Sequence, residues 1–288
     1  IDLCQRLDDT ITRTKRVFQA GTQRRSLPHY AAAVEMARSG ALGALKTLHA
    51  SAYTPVLRSE WLPGQPTPPR DEIDWNMWLG VAPWRPYNKK YVVDSDWRGY
   101  WDFDSGARIL DWGVHTLDLC QWANDSDGTT PVKFVPNKDS ITCTYANGVT
   151  VTFDFLKSAF GDRSPQYTTR LGTCPVRFVG TEGTVETGDA AEMIVTRAGS
   201  PEPTSKKWER VKGMDTLEHT RNFIDCVKSR EAPICNSSVM RRSHVACHAA
   251  SFAWLLQRPL TFDPVKETFV GDDEANGLRT RAERDWRA

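Results

Sequence analysis

The sequence predicts an α+β fold in which a large, mostly antiparallel open sheet has helices packed on one face. Residues 130–212 alternate apolar and polar side chains with the period of two that is typical of strands. Two helical segments follow directly, at about 217–229 and 239–257, so the helices gather on one side of the sheet. No GxGxxG or GxxxxGK[ST] pattern occurs in the 288 residues, so a glycine-rich phosphate-binding turn is not expected.

The part before residue 130 mixes short helical and extended segments. Residues 16–21 are predicted as a short strand that ends at a glycine, and 30–38 as a helix that Gly40 terminates. A long strand is expected at 42–53. Residues 55–98 are rich in proline and tryptophan, and we expect an ordered loop there because disordered linkers contain few tryptophans.

Seven further strands are expected in the alternating part. They lie at 131–135, 140–145, 148–156, 175–179, 184–187, 192–197 and 207–211. Asn147-Gly148 predicts a hairpin turn before the third of them. The glycines at 180 and 183 predict a second turn of this kind rather than a nucleotide loop.

The composition limits the classes of partner. With 37 basic and 36 acidic residues the net charge is +1, which argues against nucleic acid or an anionic membrane surface as partner. Without a long apolar run, no membrane-spanning helix is predicted, and a soluble protein is expected, either cytoplasmic or exported. The seven scattered cysteines form no CxxC pair, so free thiols and no metal site are expected.

Asp111, His115 and Asp118 lie on one predicted helix. Asp111 and His115 are four residues apart, which places them on one helix face about 5–6 Å apart at Cβ. A histidine that a carboxylate orients can act as a general acid or base near neutral pH. The same spacing also fits a helix in which Asp111 is a cap and His115 a hydrogen-bonded buried residue. Spacing alone leaves both interpretations open, and Asp118 is expected to support the helix.

Two further groups are candidates for ligand contacts. Gln23, Arg24 and Arg25 follow the end of a predicted strand, where α/β proteins often bind ligands, although arginines in surface ion pairs fit equally well. His219 and Asn222 lie one turn apart at the start of a helix, where they reach a pocket or serve as cap and surface residues.

Aromatic residues and a histidine pair complete the candidates. Trp97, Arg98 and Trp101 precede the 111–118 helix, and their rings offer apolar area to the C–H faces of a sugar, with core filling as the alternative. His244 and His248 are four apart and could bind a metal, but a structural role is expected.

Several segments together resemble the Gfo/Idh/MocA (glucose-fructose oxidoreductase/inositol dehydrogenase/MocA) family, in the branch abundant in planctomycetes and other sugar-degrading bacteria. The segments are 18–26, 74–80, 82–87, 97–98, 111–118 and 264–276. They occur in matching order over nearly the whole chain.

The resemblance implies a two-domain enzyme. Family members have an N-terminal Rossmann domain that binds NAD or NADP, and a C-terminal α/β domain whose open sheet shapes the substrate pocket. Residues 1–26 would be a remnant of the first domain, and 27–288 the substrate and oligomerisation domain of a homo-oligomer that forms through the open sheet face. The Glu-Lys-Pro motif and the nucleotide-binding half of the family are missing from this sequence, so NAD or NADP is expected in the intact enzyme and not on this chain alone.

The resemblance also assigns roles. The chemistry would be hydride transfer between a nicotinamide and a hydroxyl-bearing carbon of a sugar, cyclitol or related polyol. His115 would be the proton acceptor or donor, and Asp111 would orient His115 or bind an adjacent hydroxyl. The expected substrate contacts are Arg25, Gln23, Trp97, Arg98, Trp101 and His219. Two alternatives stay open: a cofactor-free lyase or hydratase acting on a keto-sugar, and a non-catalytic sugar-binding subunit.

Overall fold

A computed structural model describes residues 1–55, 60–93, 97–104, 108–156, 171–200, 202–209, 211 and 215–287. The helices are α1 (Asp2–Thr14), α2 (Pro28–Arg38), α3 (Trp75–Leu79), α4 (Lys89–Val92), α5 (Val114–Ala123), α6 (Leu217–Ser229), α7 (Ser237–Leu256) and α8 (Asp273–Gly277). The strands are β1 (Leu45–Tyr53), β2 (Lys133–Pro136), β3 (Ser140–Thr144), β4 (Thr150–Leu156), β5 (Val176–Gly180), β6 (Gly183–Gly188), β7 (Glu192–Arg197), β8 (Thr204–Lys207), β9 (Leu260–Asp263) and β10 (Thr268–Phe269).

The strands form one ten-stranded sheet in the order β10-β9-β2-β3-β4-β1-β5-β6-β7-β8. Every neighbouring pair is antiparallel except β1 and β4, which run parallel with Thr47 opposite Thr150. Short turns join β3 to β4 and β5 to β6, as the glycines at 148 and 183 predicted. The predicted large, mostly antiparallel sheet is confirmed.

One face of the sheet carries the main hydrophobic core. Leu48, Ala50 and Ala52 of β1 are buried on this face, where α2, α5 and α7 pack. The turn before α5 approaches the sheet closely, because a Cβ on Gly113 would lie 3.2 Å from the Cβ of Ala52 and 3.3 Å from the ring of Phe153. This approach fixes the start of α5, where His115 lies, against the sheet.

The opposite face of the sheet bears polar side chains. His49 Nδ1 lies 2.7 Å from Asp154 Oδ2 across β1 and β4, and Arg177 is bonded to Glu186 across β5 and β6. His49 is opposite Arg177, and Arg177 is opposite Glu186, so these three side chains form one row across β1, β5 and β6. Asp154 reaches His49 diagonally from β4. Association of subunits through this face stays a prediction.

The predicted strand at 16–21 is wrong. The segment is irregular: the Ala20 amide donates to the Cys235 carbonyl at 2.8 Å, and the Arg16 amide to the Ile11 carbonyl at 3.3 Å. A strand needs a neighbour to form a hydrogen-bonded ladder, and among the described residues this segment has none.

The bounds of β1 and β8 also differ from the sequence prediction. β1 begins at Leu45 rather than 42 because Gly43 has a φ of +71° in the preceding turn. β8 lies at Thr204–Lys207 rather than 207–211, and residue 210 of the predicted strand lies outside the described residues. In the described ranges, no helix has both the length and the hydropathy that crossing a membrane requires.

The helix α1 packs along α7. Asp8 accepts hydrogen bonds from Ser237 Oγ at 2.7 Å and from Arg241 Nη1 at 3.3 Å, and Gln5 Nε2 donates to Glu267 Oε2 at 2.6 Å. These contacts join residues 1–14 to the sheet-bearing body. The domain boundary expected at residues 26 and 27 stays a prediction.

The tryptophan-rich loop forms a small second core, which agrees with its prediction as ordered. Its residues 56–59 and 94–96 lie outside the described ranges. The second core consists of Trp75, Leu79, Tyr87, Tyr91 and Tyr100. Helices α3 and α4 contribute three of these side chains, Trp75, Leu79 and Tyr91, so this region is held by its own aromatic packing.

Candidate functional site

Asp111 lies in a π-helical turn, Ile109–Gly113, that precedes α5. Its Oδ2 accepts a hydrogen bond from Arg98 Nε at 3.1 Å and lies 3.9 Å from Arg108 Nη1. A π turn adds a residue to the turn, which shifts the i,i+4 relation that spacing predicted. The structure therefore pairs Asp111 with Arg98, and the expected orientation of His115 by Asp111 is not observed.

His115 is a neutral imidazole at pH 7. Burial, together with the positive charge of Arg24 and repulsion from a protonated His244, lowers its pKa to about 3. Its Nδ1 is buried and has no hydrogen-bond partner among the described residues. Desolvation disfavours the charged form of the imidazole. The proton-transfer role of His115 stays a prediction.

Arg24 supplies a fixed positive charge that helps to lower the pKa of His115. Its Nε and Nη2 donate to Asp189 at 3.1 and 2.8 Å, and its side chain is 1% exposed. Tyr30 also donates to Asp189, at 2.8 Å, and so does the Thr173 hydroxyl. The guanidinium carbon lies 5.7 Å from the centre of a Trp112 ring. The anchored Asp189 thus holds Arg24 in one orientation.

Arg25 points elsewhere. It donates to Asp118 at 2.6 and 2.9 Å and to Asp127 at 2.6 and 2.7 Å, with its side chain 1% exposed. Ser243 Oγ donates to the same Asp118 carboxylate at 2.7 Å. Arg25 is thus held in a buried ion-pair network with Asp118, and its expected substrate contact stays a prediction. Arg24 and Arg25 are neighbours in one 3₁₀ turn, and their side chains point in different directions.

His219 also has a structural role. Its Nε2 lies 2.9 Å from the Ala20 carbonyl, which can only accept, so Nε2 donates. Its Nδ1, 2.9 Å from Ser26 Oγ, then accepts from that hydroxyl. Both ring nitrogens join α6 to the segment before α2, and the expected substrate contact of His219 stays a prediction. Gln23 is half-buried in the same 3₁₀ turn, and its substrate contact stays a prediction.

Trp97 and Trp101 line a cavity of about 610 Å³, which we call the aromatic cavity. Its other lining residues include Leu3, Trp78, Phe103, Leu278, Thr280 and Arg281. Arg98 places its guanidinium carbon 4.4 Å from the centre of a Trp97 ring and also bonds to Asp111. His115 is not among the lining residues, so the structure divides the predicted site residues between two places.

The remaining polar candidates have local partners. His244 Nδ1 lies 2.9 Å from the Met240 carbonyl one turn earlier in α7. Asn222 Oδ1 accepts a hydrogen bond from the Ile234 amide at 3.0 Å. In the part of the chain that the structure describes, no group of three or more His, Cys, Asp or Glu side chains could hold a metal ion.

The chain belongs to the Gfo/Idh/MocA oxidoreductase family. The model of this family's C-terminal alpha/beta domain matches residues 57–154 and 204–288, which is more than half of the chain. The ten-stranded sheet with helices on one face is the fold of that domain. No curated protein matches the sequence.

Three solved structures illustrate the similarity. The aldose-aldose oxidoreductase from Caulobacter crescentus is 15% identical, with a TM-score of 0.54 over 90% of this chain and 68% of that one. The myo-inositol 2-dehydrogenase from Lactobacillus plantarum is 14% identical, with a TM-score of 0.54 over 88% and 68%. GenD2 from gentamicin A biosynthesis, solved in complex with NAD, is 16% identical, with a TM-score of 0.58 over 90% and 68%. At these identities the similarity shows the fold.

Proposed function

We propose that this chain supplies the substrate-binding and proton-transfer part of an NAD(P)-dependent oxidoreductase acting on a sugar, cyclitol or related polyol. The observation on which this proposal rests most is the buried Nδ1 of His115 at the start of α5, which has no hydrogen-bond partner among the described residues. Similar folds include an aldose-aldose oxidoreductase and a myo-inositol 2-dehydrogenase, which favours a polyhydroxylated substrate. We also propose, from the resemblance of its sequence motifs, that the chain belongs to the planctomycete branch of the family.

The chemistry follows from charge. A carbon that loses a hydride to form a carbonyl requires its hydroxyl to lose a proton. A neutral His115 has a lone pair that accepts a hydrogen bond from this hydroxyl, and Arg24 stabilises the negative charge that develops on the oxygen. A developing alkoxide next to His115 raises the pKa of the imidazole, because a nearby negative charge favours the protonated form. The proton can then move to His115 although its resting pKa is about 3.

The residues of this chain do not fit a dinucleotide. The glycines at 180 and 183 join two antiparallel strands, β5 and β6, and the sequence has no GxGxxG. A glycine-rich turn between a parallel strand and a helix is what binds a pyrophosphate in dinucleotide-binding domains. We therefore propose that the nicotinamide is bound by residues other than these 288, with residues 1–26 as the end of that domain.

The test compares two histidine variants in the intact enzyme. NAD(P)H formation is measured with glucose, xylose and myo-inositol for the wild type, His115→Gln and His49→Gln. His115→Gln should lower kcat about 100-fold or more, because general acid–base catalysis contributes about 10²–10⁴-fold. His49 lies on the opposite face of the sheet, so His49→Gln should change kcat less than about threefold.

Two results would count against this proposal. An unchanged rate in His115→Gln would remove His115 from the reaction. Conversion of a keto-sugar without NAD(P) would support the lyase alternative instead.

The chain on its own should show no heat of binding with NAD or NADP in calorimetry, since it has no dinucleotide fingerprint.

A further inference from the structure

We infer that the aromatic cavity and a smaller cavity next to it form one cleft that binds a neutral saccharide of at least two linked rings. The inference takes the class of ligand from the proposed function and locates a binding site away from His115. The smaller cavity has a volume of about 250 Å³ and shares with the aromatic cavity the residues Leu3, Leu278, Thr280, Arg281 and Glu283. Five shared lining residues make the two cavities neighbours along one elongated cleft.

The larger part of the cleft offers aromatic surface that is held in place. Trp78 is stacked on Trp75, with ring centres 4.7 Å apart and planes 14° from parallel. Trp101 packs against Phe252 at 6.2 Å, and Arg98 lies over the ring of Trp97. Such rings provide apolar area to the C–H faces of a sugar. Because they are already fixed, little side-chain entropy is lost on binding.

The charged side chains of the cleft balance. Three carboxylates line it, from Asp2, Asp102 and Glu283, and three guanidinium groups, from Arg6, Arg279 and Arg281. Arg279 Nη2 lies 2.7 Å from Asp2, Arg6 lies 3.9 Å from Glu283, and Arg85, outside the cleft, is bonded to Asp102. Each lining carboxylate has an arginine partner, so the cleft offers no unpaired carboxylate to a cation. Arg281 donates to the Trp101 carbonyl and has further N–H groups that can donate to a hydroxyl, which favours a neutral polyhydroxylated ligand.

The polar groups of the cleft match hydroxyls. Carboxylates accept hydrogen bonds, guanidinium groups donate them, and the Thr280 hydroxyl does both, as sugar hydroxyls do. His248 lines the smaller cavity, and its Nδ1 is buried without a hydrogen-bond partner among the described residues. Burial lowers the pKa of His248 well below its usual value, so its ring is neutral at pH 7. An orphaned ring nitrogen in the wall of a cavity is a place for a ligand hydroxyl to bind.

The volume of the cleft favours a ligand larger than one ring. The aromatic cavity alone lies within the range of about 300–1,000 Å³ that is usual for pockets of drug-sized ligands. The cleft contains no group with a role in the proton transfer proposed for His115. We therefore assign it to a part of the saccharide that does not react.

Arg284 fixes the position of one wall of the cleft. Its guanidinium donates to Asn76 Oδ1 at 2.6 Å, to the Gly80 carbonyl at 2.9 Å and to the Ala82 carbonyl at 3.3 Å. Its amide donates to the Val81 carbonyl at 2.9 Å. These bonds fasten the segment that follows α8, one wall of the cleft, to the loop after α3. Arg284 is thus a positioning residue that does not line the cleft itself.

The experiment is calorimetric titration of the purified chain with cellobiose, glucose and glucuronate. Cellobiose should bind at least about fivefold more tightly than glucose, and glucuronate no more tightly than glucose. Trp97→Ala and Trp101→Ala should each weaken cellobiose binding about fivefold or more, as expected for the loss of an aromatic contact. Trp84→Ala is the matched control: Trp84 is 58% exposed and lies outside the cleft, so its loss should change affinity less than twofold.

Further variants keep the test decisive if an alanine variant does not fold. Trp97→Phe retains a ring and should bind cellobiose with an affinity between those of the wild type and Trp97→Ala. Arg284→Ala should weaken cellobiose binding about as much as Trp97→Ala, although Arg284 does not touch the ligand. No heat with any of the sugars, tighter binding of glucuronate than of glucose, or unchanged affinity in the Trp97 and Trp101 variants would overturn the inference.

His115→Gln separates this inference from the proposed function. Cellobiose affinity should be unchanged in that variant, since His115 does not line the cleft. If sugars do not bind in the cleft but hydride transfer in the intact enzyme still depends on His115, only the cleft assignment fails. If cellobiose binds as described and His115→Gln retains full hydride transfer, only the proposed role of His115 fails.

Discussion

Replacing Arg25 with methionine tests whether this arginine is structural. Arg25 and Asp118 each have 1% of their side chains exposed, and two hydrogen bonds of 2.6 and 2.9 Å join them. In Arg25→Met the Asp118 carboxylate stays buried with only the Ser243 hydroxyl as a described side-chain donor. The second partner of Arg25, Asp127, is 35% exposed and can be solvated by water.

The expected loss of stability follows from these burial values. Removing one member of a fully buried ion pair costs about 3–5 kcal/mol, because an uncompensated charge remains in the interior. This is a large part of the stability of a typical domain, about 5–15 kcal/mol. The double variant Arg25→Met/Asp118→Asn removes the buried charge as well, so it should be more stable than Arg25→Met by about 1–3 kcal/mol.

The assay is urea unfolding followed by tryptophan fluorescence. Arg38→Met is the control, because Arg38 pairs with Asp125 at the surface, where the two side chains are 40% and 78% exposed. An exposed pair contributes about 1 kcal/mol or less. If Arg25→Met costs no more than Arg38→Met and instead reduces sugar turnover in the intact enzyme, the structural assignment of Arg25 is refuted and the substrate contact is supported.

Two other predictions concern pH and backbone geometry. The folded-state pKa of His115, about 3, lies below its unfolded value, so below pH 6.5 the unfolded state binds more protons and stability falls as pH falls. Between pH 6 and 4 the free energy of unfolding should fall less steeply in His115→Gln, by up to ~1.4 kcal/mol per pH unit, and equal slopes in urea titrations would contradict the burial of His115. Gly180→Ala should cost more than about 3 kcal/mol because its Cβ would lie 2.1 Å from the Leu42 carbonyl oxygen. Gly148→Ala should cost about 1–2 kcal/mol, from its φ of +85° alone, and similar melting temperatures for the two variants would show that Leu42 can move aside.

The features that local patterns predicted well are those that a single element determines. The helix expected at 217–229 is α6 with the same bounds. The helix expected at 239–257 is α7, which begins two residues earlier, at Ser237, because the side chain of Asn236 caps it there. The hairpin after 147 is present, because a glycine with positive φ specifies such a turn locally. The strand at 16–21 failed because strand pairing depends on a neighbour that a local pattern does not reveal.

The site was predicted less completely, for the same reason. His115 was recognised as a candidate, but its neutral state depends on burial and on Arg24, which lies 91 positions earlier in the sequence. The choice between Arg24 and Arg25 depended on which carboxylate each one meets: Asp189 for the first and Asp118 for the second. Neither contact has a signal in the spacing of residues.

The sequence by itself determined the class of fold and the family, because periodicity, turn residues and motifs are local properties of the chain. The tertiary structure decided how these residues are used. It paired Asp111 with Arg98, left His115 neutral, and placed residues 277–283 against the tryptophan-rich loop to form a cleft. These outcomes depend on desolvation and on contacts between distant segments, and both arise only when the chain is packed around its sheet.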